Sequence, residues 1–322
     1  MKVGVIGAGA FGTALAVQLI KNKNEVLLWS FEDKVVEEIN QLHQNNTYLA
    51  GVLLLRKLKA SQDLKKVINW AEIVFNTTPV FATRSTYKGI NLKGKVLVSA
   101  SKGIEKETHQ LLHEIFGQTL EGAFQYAALS GPSFARELAV GEMTAVSLAS
   151  KEPKVSENVK KLLESSNFRV QIVDDVVGVE LGGALKNVLA IAAGICAGAG
   201  RGKDFQAAIF VEGLNEMIAL GEKMGAEKQT FYSLAGLGDL FLTSTSDQSR
   251  NFNFGFQLGQ GDSVQKALAG KTVEGVGSAE SAAYLAEKHS IKAPLFENIY
   301  AVTSGKKEAK KALVDIWSAL EF

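Results

Sequence analysis

The feature that most constrains the fold is a glycine pattern near the start of the chain. Residues 7–12 read G-A-G-A-F-G, directly after the apolar run 3–6 and directly before an amphipathic stretch. Glycine suits all three places, because Gly7 makes a tight turn, Gly9 leaves the backbone open to close approach, and Gly12 lets a helix pack tightly on a strand. The pattern therefore predicts a strand, a turn and a helix in immediate succession.

A turn of this kind suits the binding of a dinucleotide. The free N–H groups and the positive dipole end of the following helix attract phosphates. A second strand-like run, 25–29, is followed by Phe31 and Glu32, and an acidic residue at this place binds a ribose 2′-hydroxyl. A 2′-phosphate usually requires an arginine there, and no arginine occurs between residues 25 and 55. We therefore expect NAD or NADP as the cofactor, with NAD favoured.

The spacing of apolar residues along the sequence changes near residue 174. Before it, short apolar runs alternate with helical patterns, which is typical of a parallel sheet covered on both faces. The strand-like runs are 3–6, 25–29, 73–77, 95–99, 127–129 and 145–148. After it, long alanine-rich segments have helical spacing at 179–197, 205–224, 278–288 and 306–320. We predict an α/β Rossmann-type doubly wound sheet in 1–174, which binds NAD(P), and an all-α substrate-binding and catalytic domain in 175–322.

Composition excludes several other classes of protein. The chain is 46% hydrophobic and 21% charged, with a formal net charge of +1, so no strong field attracts nucleic acid or an anionic membrane. One cysteine cannot form a disulfide within the chain, and the N-terminus lacks a signal-peptide pattern, so we expect a soluble, cytoplasmic protein. The longest apolar run, 188–200, is shorter than the ~18 residues of a membrane span. The four histidines form no ligand pattern, so we expect no metal site.

Two lysines stand where a charge is unusual. Lys102 follows the predicted strand 95–99, at the sheet edge where ligands of α/β proteins bind. Lys186, with Asn187 beside it, interrupts an otherwise apolar helix. Burial disfavours the charged form of a lysine and lowers its pKa, which suits a general acid/base near neutral pH. A solvent-facing Lys102 and a Lys186 that reaches out to water are the structural alternatives.

Two further segments concentrate small and polar residues. Gly131 and Ser133 follow another predicted strand, where backbone N–H groups can approach a ligand, although a simple tight turn has the same sequence. Asp239 lies in the glycine-rich stretch 236–240, and polar residues follow it closely. These are Thr243, Ser249, Arg250 and Asn251. The planar guanidinium of Arg250 suits a phosphate, so this crowding favours a phosphate site over a helix cap and a surface arginine.

Taken together, these motifs resemble the NAD(P)-dependent glycerol-3-phosphate dehydrogenase family. The matching segments are 7–14, 45–51, 102–105, 130–135, 178–187, 236–240, 249–251 with Gly255, and 273–276. They occur in the same order from residue 4 to about residue 276. The combination of G-A-L-K-N, G-L-G-D-L and S-R-N is far more specific than the glycine loop alone.

The resemblance implies a reaction and a set of residues. The reaction is reversible hydride transfer between NAD(P)H and dihydroxyacetone phosphate, which gives glycerol 3-phosphate for glycerolipid synthesis. Lys186 corresponds to the general acid/base, with Lys102 and Asp239 as its catalytic companions. Substrate-binding positions are Lys102, Gly131, Ser133, Lys186, Asn187, Asp239, Thr243, Ser249, Arg250 and Asn251. Cofactor-binding positions are Gly7, Gly9, Ala10, Phe11, Gly12, Phe31, Glu32, Pro79, Lys102, Ala135, Arg250 and Glu274. A homodimer is expected on the same ground.

The chain also departs from the family pattern, and other readings stay open. Ala50 and Leu55 replace prolines that the family usually has, and Glu212 stands where arginine is frequent. One alternative is another two-domain dehydrogenase that acts on a hydroxy acid. The other is a non-catalytic NAD-binding sensor, which a costly lysine in an apolar helix argues against.

Overall fold

An eight-stranded sheet forms the centre of the first of two compact units, which comprises Met1–Ser101 and Leu112–Val176. The computed structural model describes residues 1–270 and 272–320. The strands are β1 (Lys2–Ile6), β2 (Glu25–Trp29), β3 (Lys59–Ser61), β4 (Ile73–Asn76), β5 (Val96–Ser99), β6 (Gln125–Ser130), β7 (Thr144–Ala149) and β8 (Phe168–Val173). Their order across the sheet is β3-β2-β1-β4-β5-β6-β7-β8. The α/β sheet predicted from the alternating pattern is confirmed.

Helices connect these strands. They are α1 (Ala10–Lys21), α2 (Asp33–Glu37), α3 (Leu64–Trp70), α4 (Val80–Tyr87), α5 (Leu112–Thr119), α6 (Ala135–Val140) and α7 (Pro153–Leu163). A π-helical turn, Glu38–Leu42, continues α2. The apolar side chains of α1, such as Leu15 and Leu19, are fully buried and belong to the same core as Val3 and Val5 of β1. The turn between β1 and α1 is therefore fixed from both sides by the core.

The sheet differs from the sequence-based expectation in two respects. Every neighbouring pair is parallel except β6 and β7, which are antiparallel through the pairing of Leu129 with Leu148. The structure also contains β3 and β8, which the apolar runs did not predict. β3 has only three residues, too few to show a pattern, whereas the first four residues of β8 alternate buried and exposed, a signal for a strand with one face in solvent.

The second compact unit comprises Lys102–Leu111 and Val177–Phe322, and helices are its regular secondary structure within the described residues, whereas 102–111 is an irregular segment. Its helices are α8 (Val176–Gly198), α9 (Lys203–Lys223), α10 (Asp239–Thr245), α11 (Arg250–Gly259), α12 (Val264–Leu268), α13 (Glu274–Lys288), α14 (Pro294–Thr303) and α15 (Ala309–Ala319). The all-helical character predicted for this half is confirmed. The predicted division at residue 174 assigns 102–111 to the first domain, whereas this segment packs in the second unit.

Helix α8 is the central element of the second unit. Within the described residues it is the one helix long and apolar enough to cross a membrane by length and composition, and 89% of its most apolar window is buried inside the protein. Leu185, Val188 and Ile191 of this helix are fully buried. Its apolar character is therefore accounted for by its place in the core.

Helices α8 and α11 touch through glycines on both sides. A Cβ at Gly194 would lie 2.1 Å from the carbonyl oxygen of Phe252, and a Cβ at Gly255 would lie 2.1 Å from that of Ile191. Gly198 and Gly259 repeat the arrangement one turn further on. Without side chains at the crossing the two backbones come into contact, which brings the polar residues at the start of α11 close to α8.

The segment 102–111 is held against α13. The ring of His109 stacks on Tyr284 with centroids 3.9 Å apart, and its Nδ1 lies 3.1 Å from the Ser281 hydroxyl. Lys106 Nζ also pairs with Glu280 at 3.1 Å. These contacts fix the segment that begins with Lys102 to the helical unit.

The glycines of the first turn allow a paired stability test. A Cβ at Gly12 would lie 2.0 Å from the Gly7 carbonyl oxygen and 2.4 Å from Thr77 Oγ1, whereas a Cβ at Gly9 would have no atom within 4 Å. We expect Gly12→Ala to lower the free energy of unfolding by about 1–3 kcal/mol, despite the better helix propensity of alanine, because backbone must move. Gly9→Ala, the matched control, has room for its methyl group among the described residues and should lower it by less than about 1 kcal/mol, the cost of alanine at the N-cap of α1. Urea unfolding followed by circular dichroism measures both, and equal midpoints for the two variants would contradict the packing argument.

Candidate active site

The helical unit contains a buried carboxylate, that of Asp239, which accepts hydrogen bonds from two lysines. Lys102 Nζ donates to Asp239 Oδ2 at 2.6 Å, and Lys186 Nζ donates to Asp239 Oδ1. Lys186 Nζ also donates to the hydroxyl of Thr243 at 2.9 Å. The structure thus brings together four residues that the sequence analysis proposed separately, from three different segments.

Local backbone features place Asp239. It begins α10 and continues a π-helical turn, Leu234–Gly238, without a break, because Gly238 keeps helical backbone angles (φ −61°, ψ −50°). Side chains are excluded nearby, because a Cβ at Gly236 would lie 2.2 Å from the carbonyl oxygen of Phe231. A Cβ at Gly182 of α8 would lie 2.6 Å from the carbonyl oxygen of Ala235. These close approaches bring the start of α10 within reach of Lys186.

Burial and charge set the protonation of this cluster. The side chains of Lys186 and Asp239 are 8% and 1% exposed, and that of Lys102 is 17% exposed. Burial lowers the pKa of Lys186 to about 8; Asp239 opposes that shift and Lys102 adds to it. For Asp239, burial acts to raise the pKa, but the two ammonium groups outweigh it and hold the pKa below its ordinary value. Lys186 can therefore gain and lose a proton near neutral pH while Asp239 stays ionised.

A second polar network adjoins Lys186. The backbone N–H of Gly275 donates to Asn251 Oδ1 at 2.9 Å, which leaves Asn251 Nδ2 to donate to Asn187 Oδ1, also at 2.9 Å. The Asn187 Nδ2 group that remains is buried and has no hydrogen-bond partner among the described residues. A buried amide with unused N–H groups costs free energy unless a ligand accepts from it. The N–H groups of Asn187 Nδ2 are therefore available to a hydrogen-bond acceptor.

Other predicted residues of this unit lie at helix ends. Ser249 is the N-cap of α11, where its hydroxyl accepts from the Phe252 N–H at 3.2 Å. Arg250 is exposed, and its Nη1 donates to the Thr272 carbonyl at 3.3 Å. Glu274 begins α13, and burial raises its pKa, although Arg250 opposes the rise. The hydroxyl of Ser249 is thus engaged in capping, while the guanidinium of Arg250 keeps most of its donors.

In the first unit, the glycine loop has the predicted strand–turn–helix form. Gly7 has a φ of +115°, which favours glycine, and Gly12 packs against its carbonyl. Thr77, which follows β4, donates from its hydroxyl to the Gly7 carbonyl at 2.8 Å. Asn45 Nδ2 donates to the Ala8 carbonyl and to Thr13 Oγ1, each at 2.8 Å. Two residues with no assigned role in the sequence analysis therefore hold the loop in shape.

This loop fits a dinucleotide. A Cβ at Gly9 would have no atom of the described residues within 4 Å, so a ligand can approach the backbone here. Gly9 is the N-cap of α1 and has no side chain to cap the first N–H groups of the helix, which can bind a phosphate. Phe31 is 84% exposed beyond β2, and Glu32 is the N-cap of α2. The neighbouring Glu32 carboxylate raises the pKa of Tyr48 above its ordinary value.

The other residues predicted in this unit follow strands β4 and β6 at the same edge of the sheet. Pro79 is the N-cap of α4, and Ala135 begins α6, as Ala10 and Phe11 begin α1. Gly131 has a φ of +153°, and a Cβ there would lie 2.7 Å from the Cα of Val146. Ser133 Oγ donates to the Gly131 carbonyl at 3.0 Å. The predicted residues 7–12, 79 and 131–135 thus share the carboxyl edge of a largely parallel sheet, where α/β proteins bind ligands.

Among the described residues, no group of three or more His, Cys, Asp or Glu could hold a metal ion.

Comparison with known proteins bears on both units. Residues 2–156 match the model of the N-terminal part of NAD-dependent glycerol-3-phosphate dehydrogenase, and residues 175–314 match the model of its C-terminal part. The chain is 42% identical over 322 residues to a glycerol-3-phosphate dehydrogenase of Citrifermentans bemidjiense that is named for NAD(P)+, covering 98% of this chain and 96% of the relative. A Leptospira biflexa protein of the same name is 40% identical over 320 residues, covering 97% and 96%.

Solved structures give the same result. The crystal structure of glycerol-3-phosphate dehydrogenase from Coxiella burnetii superposes with a TM-score of 0.92 at 35% identity and covers 98% of each chain. The glycine loop, the paired lysines and the full-length similarity therefore agree, and the chain belongs to the NAD(P)-dependent glycerol-3-phosphate dehydrogenase family.

Proposed function

We propose that this protein catalyses reversible hydride transfer between NAD(P)H and dihydroxyacetone phosphate, giving sn-glycerol 3-phosphate for glycerolipid synthesis. The observation that carries the proposal is the amine of Lys186, which is buried, bound to Asp239 and titrates near neutral pH. A buried lysine is costly as a structural element, since its ammonium must leave water. In a family of enzymes that reduce a ketone, such a lysine can serve as the general acid/base.

The chemistry follows from the charges of the cluster. Reduction of the substrate ketone adds a hydride to C2 and leaves negative charge on the C2 oxygen, which then takes a proton. The nicotinamide, when bound, supplies the hydride. Lys186 as an ammonium stabilises the charge on the C2 oxygen and donates the proton to it. In the reverse direction neutral Lys186 accepts the proton of the C2 hydroxyl.

The neighbouring residues fix the position of the Lys186 ammonium group. Asp239 keeps the ammonium in place and stays ionised, and Thr243 accepts a further hydrogen bond from it. Lys102 shares the carboxylate, so the cluster of two lysines and one aspartate carries a net charge of +1. An excess positive charge in a buried place favours an anionic substrate.

The phosphate and hydroxyls of the substrate need donors as well. Asn187 offers the unused N–H groups of its buried side chain, and Asn251 fixes their direction. Arg250 offers an exposed guanidinium at the start of α11, which suits a phosphate. We assign Gly131, Ser133 and Ser249 to the same substrate on the family resemblance alone.

The cofactor-binding residues are assigned in the same way. Gly7, Gly9 and Gly12, with Ala10 and Phe11, would hold the pyrophosphate at the start of α1, and the open space at Gly9 supports this. The ribose would meet Glu32 and Phe31. The remaining assigned positions are Pro79, Lys102, Ala135, Arg250 and Glu274. We further propose a cytoplasmic homodimer, in line with the resemblance and with the half-exposed apolar residues Val314 and Trp317 on α15.

The two alternative functions require different groups in the site. A hydroxy-acid dehydrogenase needs to bind a carboxylate, and a sensor needs no acid/base group. The net positive cluster suits an anionic substrate and argues against a sensor, and the similarity to glycerol-3-phosphate dehydrogenases favours the phosphorylated ketone over a hydroxy acid. NADH oxidation with dihydroxyacetone phosphate, compared with pyruvate and with 2-ketopantoate at equal concentration, separates the three possibilities.

We expect Lys186→Met to lower kcat for the reduction of dihydroxyacetone phosphate by about 10²–10⁴-fold, because methionine keeps the packing of α8 but cannot donate a proton. Lys203→Met changes an exposed lysine of the same unit and serves as the control. Steady-state kinetics at saturating NADH measures the effect, with circular dichroism as a check on folding. A Lys186→Met enzyme within threefold of wild type would overturn the acid/base role.

The pH dependence has a definite sign. Reduction needs Lys186 protonated, so its rate is highest below a pKa of about 8 and falls as pH rises through that value. Oxidation of glycerol 3-phosphate needs the neutral amine, so its rate rises through the same range. Profiles of kcat against pH in both directions, between pH 6 and pH 10, test this. Two profiles that change in the same sense would contradict a single acid/base group.

Glu32 is expected to select NADH. Its carboxylate suits a ribose 2′-hydroxyl and repels a 2′-phosphate, so wild-type kcat/KM is expected to be higher with NADH than with NADPH. Glu32→Ser is expected to lower the NADH/NADPH ratio of kcat/KM by about tenfold, which corresponds to ~1.4 kcal/mol. Glu37→Ser, an exposed acid at the end of α2, is the control. A tenfold preference of the wild type for NADPH would refute the assignment.

A further inference from the structure

The first unit contains a cavity that the proposed reaction does not use. It has a volume of about 560 Å³ and lies where β2 and β3 begin, next to the end of α1. We call it the β2–β3 cavity. The glycine loop follows the opposite end of β1, and five strand residues separate the two edges by roughly 16 Å. The β2–β3 cavity is therefore distinct from the candidate cofactor site.

Four lysines surround this cavity. They are Lys23, Lys57, Lys59 and Lys66, and all four are exposed. Glu25 is the single carboxylate among its described lining residues. None of the four ammonium groups forms an ion pair within residues 1–270 and 272–320. The chain as a whole carries a net charge of only +1, so this is a local concentration of unpaired positive charge.

Local structure accounts for only one of these lysines. Lys23 follows the C-terminal end of α1, where a cation stabilises the helix dipole. Lys57 lies in a loop, Lys59 is the first residue of β3, and Lys66 is the third residue of α3. None of these three lysines follows the C-terminal end of a helix, so stabilisation of a helix dipole does not account for them. Four like charges around one cavity repel each other, and an anion within the cavity relieves that repulsion.

The walls between the lysines are apolar. Leu27 and Trp70 are partly exposed to the cavity, above the buried side chains of Ile20 and Val26. Lys66 and Trp70 are four residues apart on α3, so an ammonium and an indole face the same space. A volume of about 560 Å³ is within the usual range for small-molecule sites.

We infer that the β2–β3 cavity binds a small organic phosphate, with its phosphate held by the lysines and its apolar body lying against Leu27 and Trp70. Lysine is a point-charge partner for phosphate, and an apolar wall adds binding free energy that an inorganic ion cannot use. The apolar body can be an alkyl chain or an aromatic base, and the two are distinguished by the probes below. Because the cavity is at the other edge of the sheet, binding does not compete with the cofactor.

Isothermal titration calorimetry on the full chain saturated with NAD+ tests this inference. The probes are dodecyl phosphate below its critical micelle concentration, adenosine monophosphate and inorganic phosphate. We expect one of the two organic phosphates to bind at least tenfold more tightly than inorganic phosphate. The organic phosphate that binds identifies the body as alkyl or aromatic.

Matched variants assign the binding to the cavity. Lys59→Gln/Lys66→Gln is expected to weaken the organic phosphate at least tenfold, while Lys151→Gln/Lys154→Gln, which changes two exposed lysines of the same unit, leaves it unchanged. Thermal unfolding confirms that both variants fold, and NADH oxidation shows that the site at the other edge is intact. The inference is overturned by absence of binding of both organic probes at 1 mM, by equal affinity in the two double variants, or by inorganic phosphate binding as tightly as the organic probes.

Discussion

The carboxylate of Asp239 is the group on which the arrangement of the helical unit depends. Moving an ammonium into a protein interior costs several kcal/mol, and this unit buries Lys186 and most of Lys102. One carboxylate between them offsets part of that cost and leaves a net positive charge. The arrangement is therefore poor as a structural device and well suited to an anion with a reactive oxygen. The two ammonium groups hold Asp239 ionised, whereas burial lowers the pKa of Lys186 to about 8.

Glycine makes this arrangement possible by removing side chains where backbones meet. Gly182 lets the turn before Asp239 approach α8, and Gly194 and Gly255 let α11 approach the same helix. The crossing of α8 and α11 places Asn251 against Asn187 and leaves the Asn187 N–H groups unsatisfied. The positions of these polar side chains thus depend on close packing of backbones, which leaves no room for a methyl group at these glycines.

In the first unit, one sheet presents different chemistry at its two edges. At the carboxyl edge, uncapped backbone N–H groups at the start of α1 attract negative charge, and the carboxylate of Glu32 follows the neighbouring strand β2. At the opposite edge the helices end rather than begin, so backbone groups do not attract an anion there. Lysine side chains around the β2–β3 cavity supply the positive charge instead. The positive charge at the two edges thus has different sources, backbone N–H groups at one and lysine side chains at the other.

The two-part architecture, the glycine loop and the choice of Lys186 and Asp239 as site residues were predictable from local pattern and from polar residues in apolar surroundings. The sequence by itself did not determine the antiparallel pairing of β6 with β7, the strands β3 and β8, or the packing of 102–111 with the helical unit. Sheet order and the docking of a segment depend on contacts between residues far apart in the chain, such as His109 with Ser281 and Tyr284. The sharing of one carboxylate by two lysines was likewise decided only by tertiary structure, because Lys102, Lys186 and Asp239 come from three separate segments.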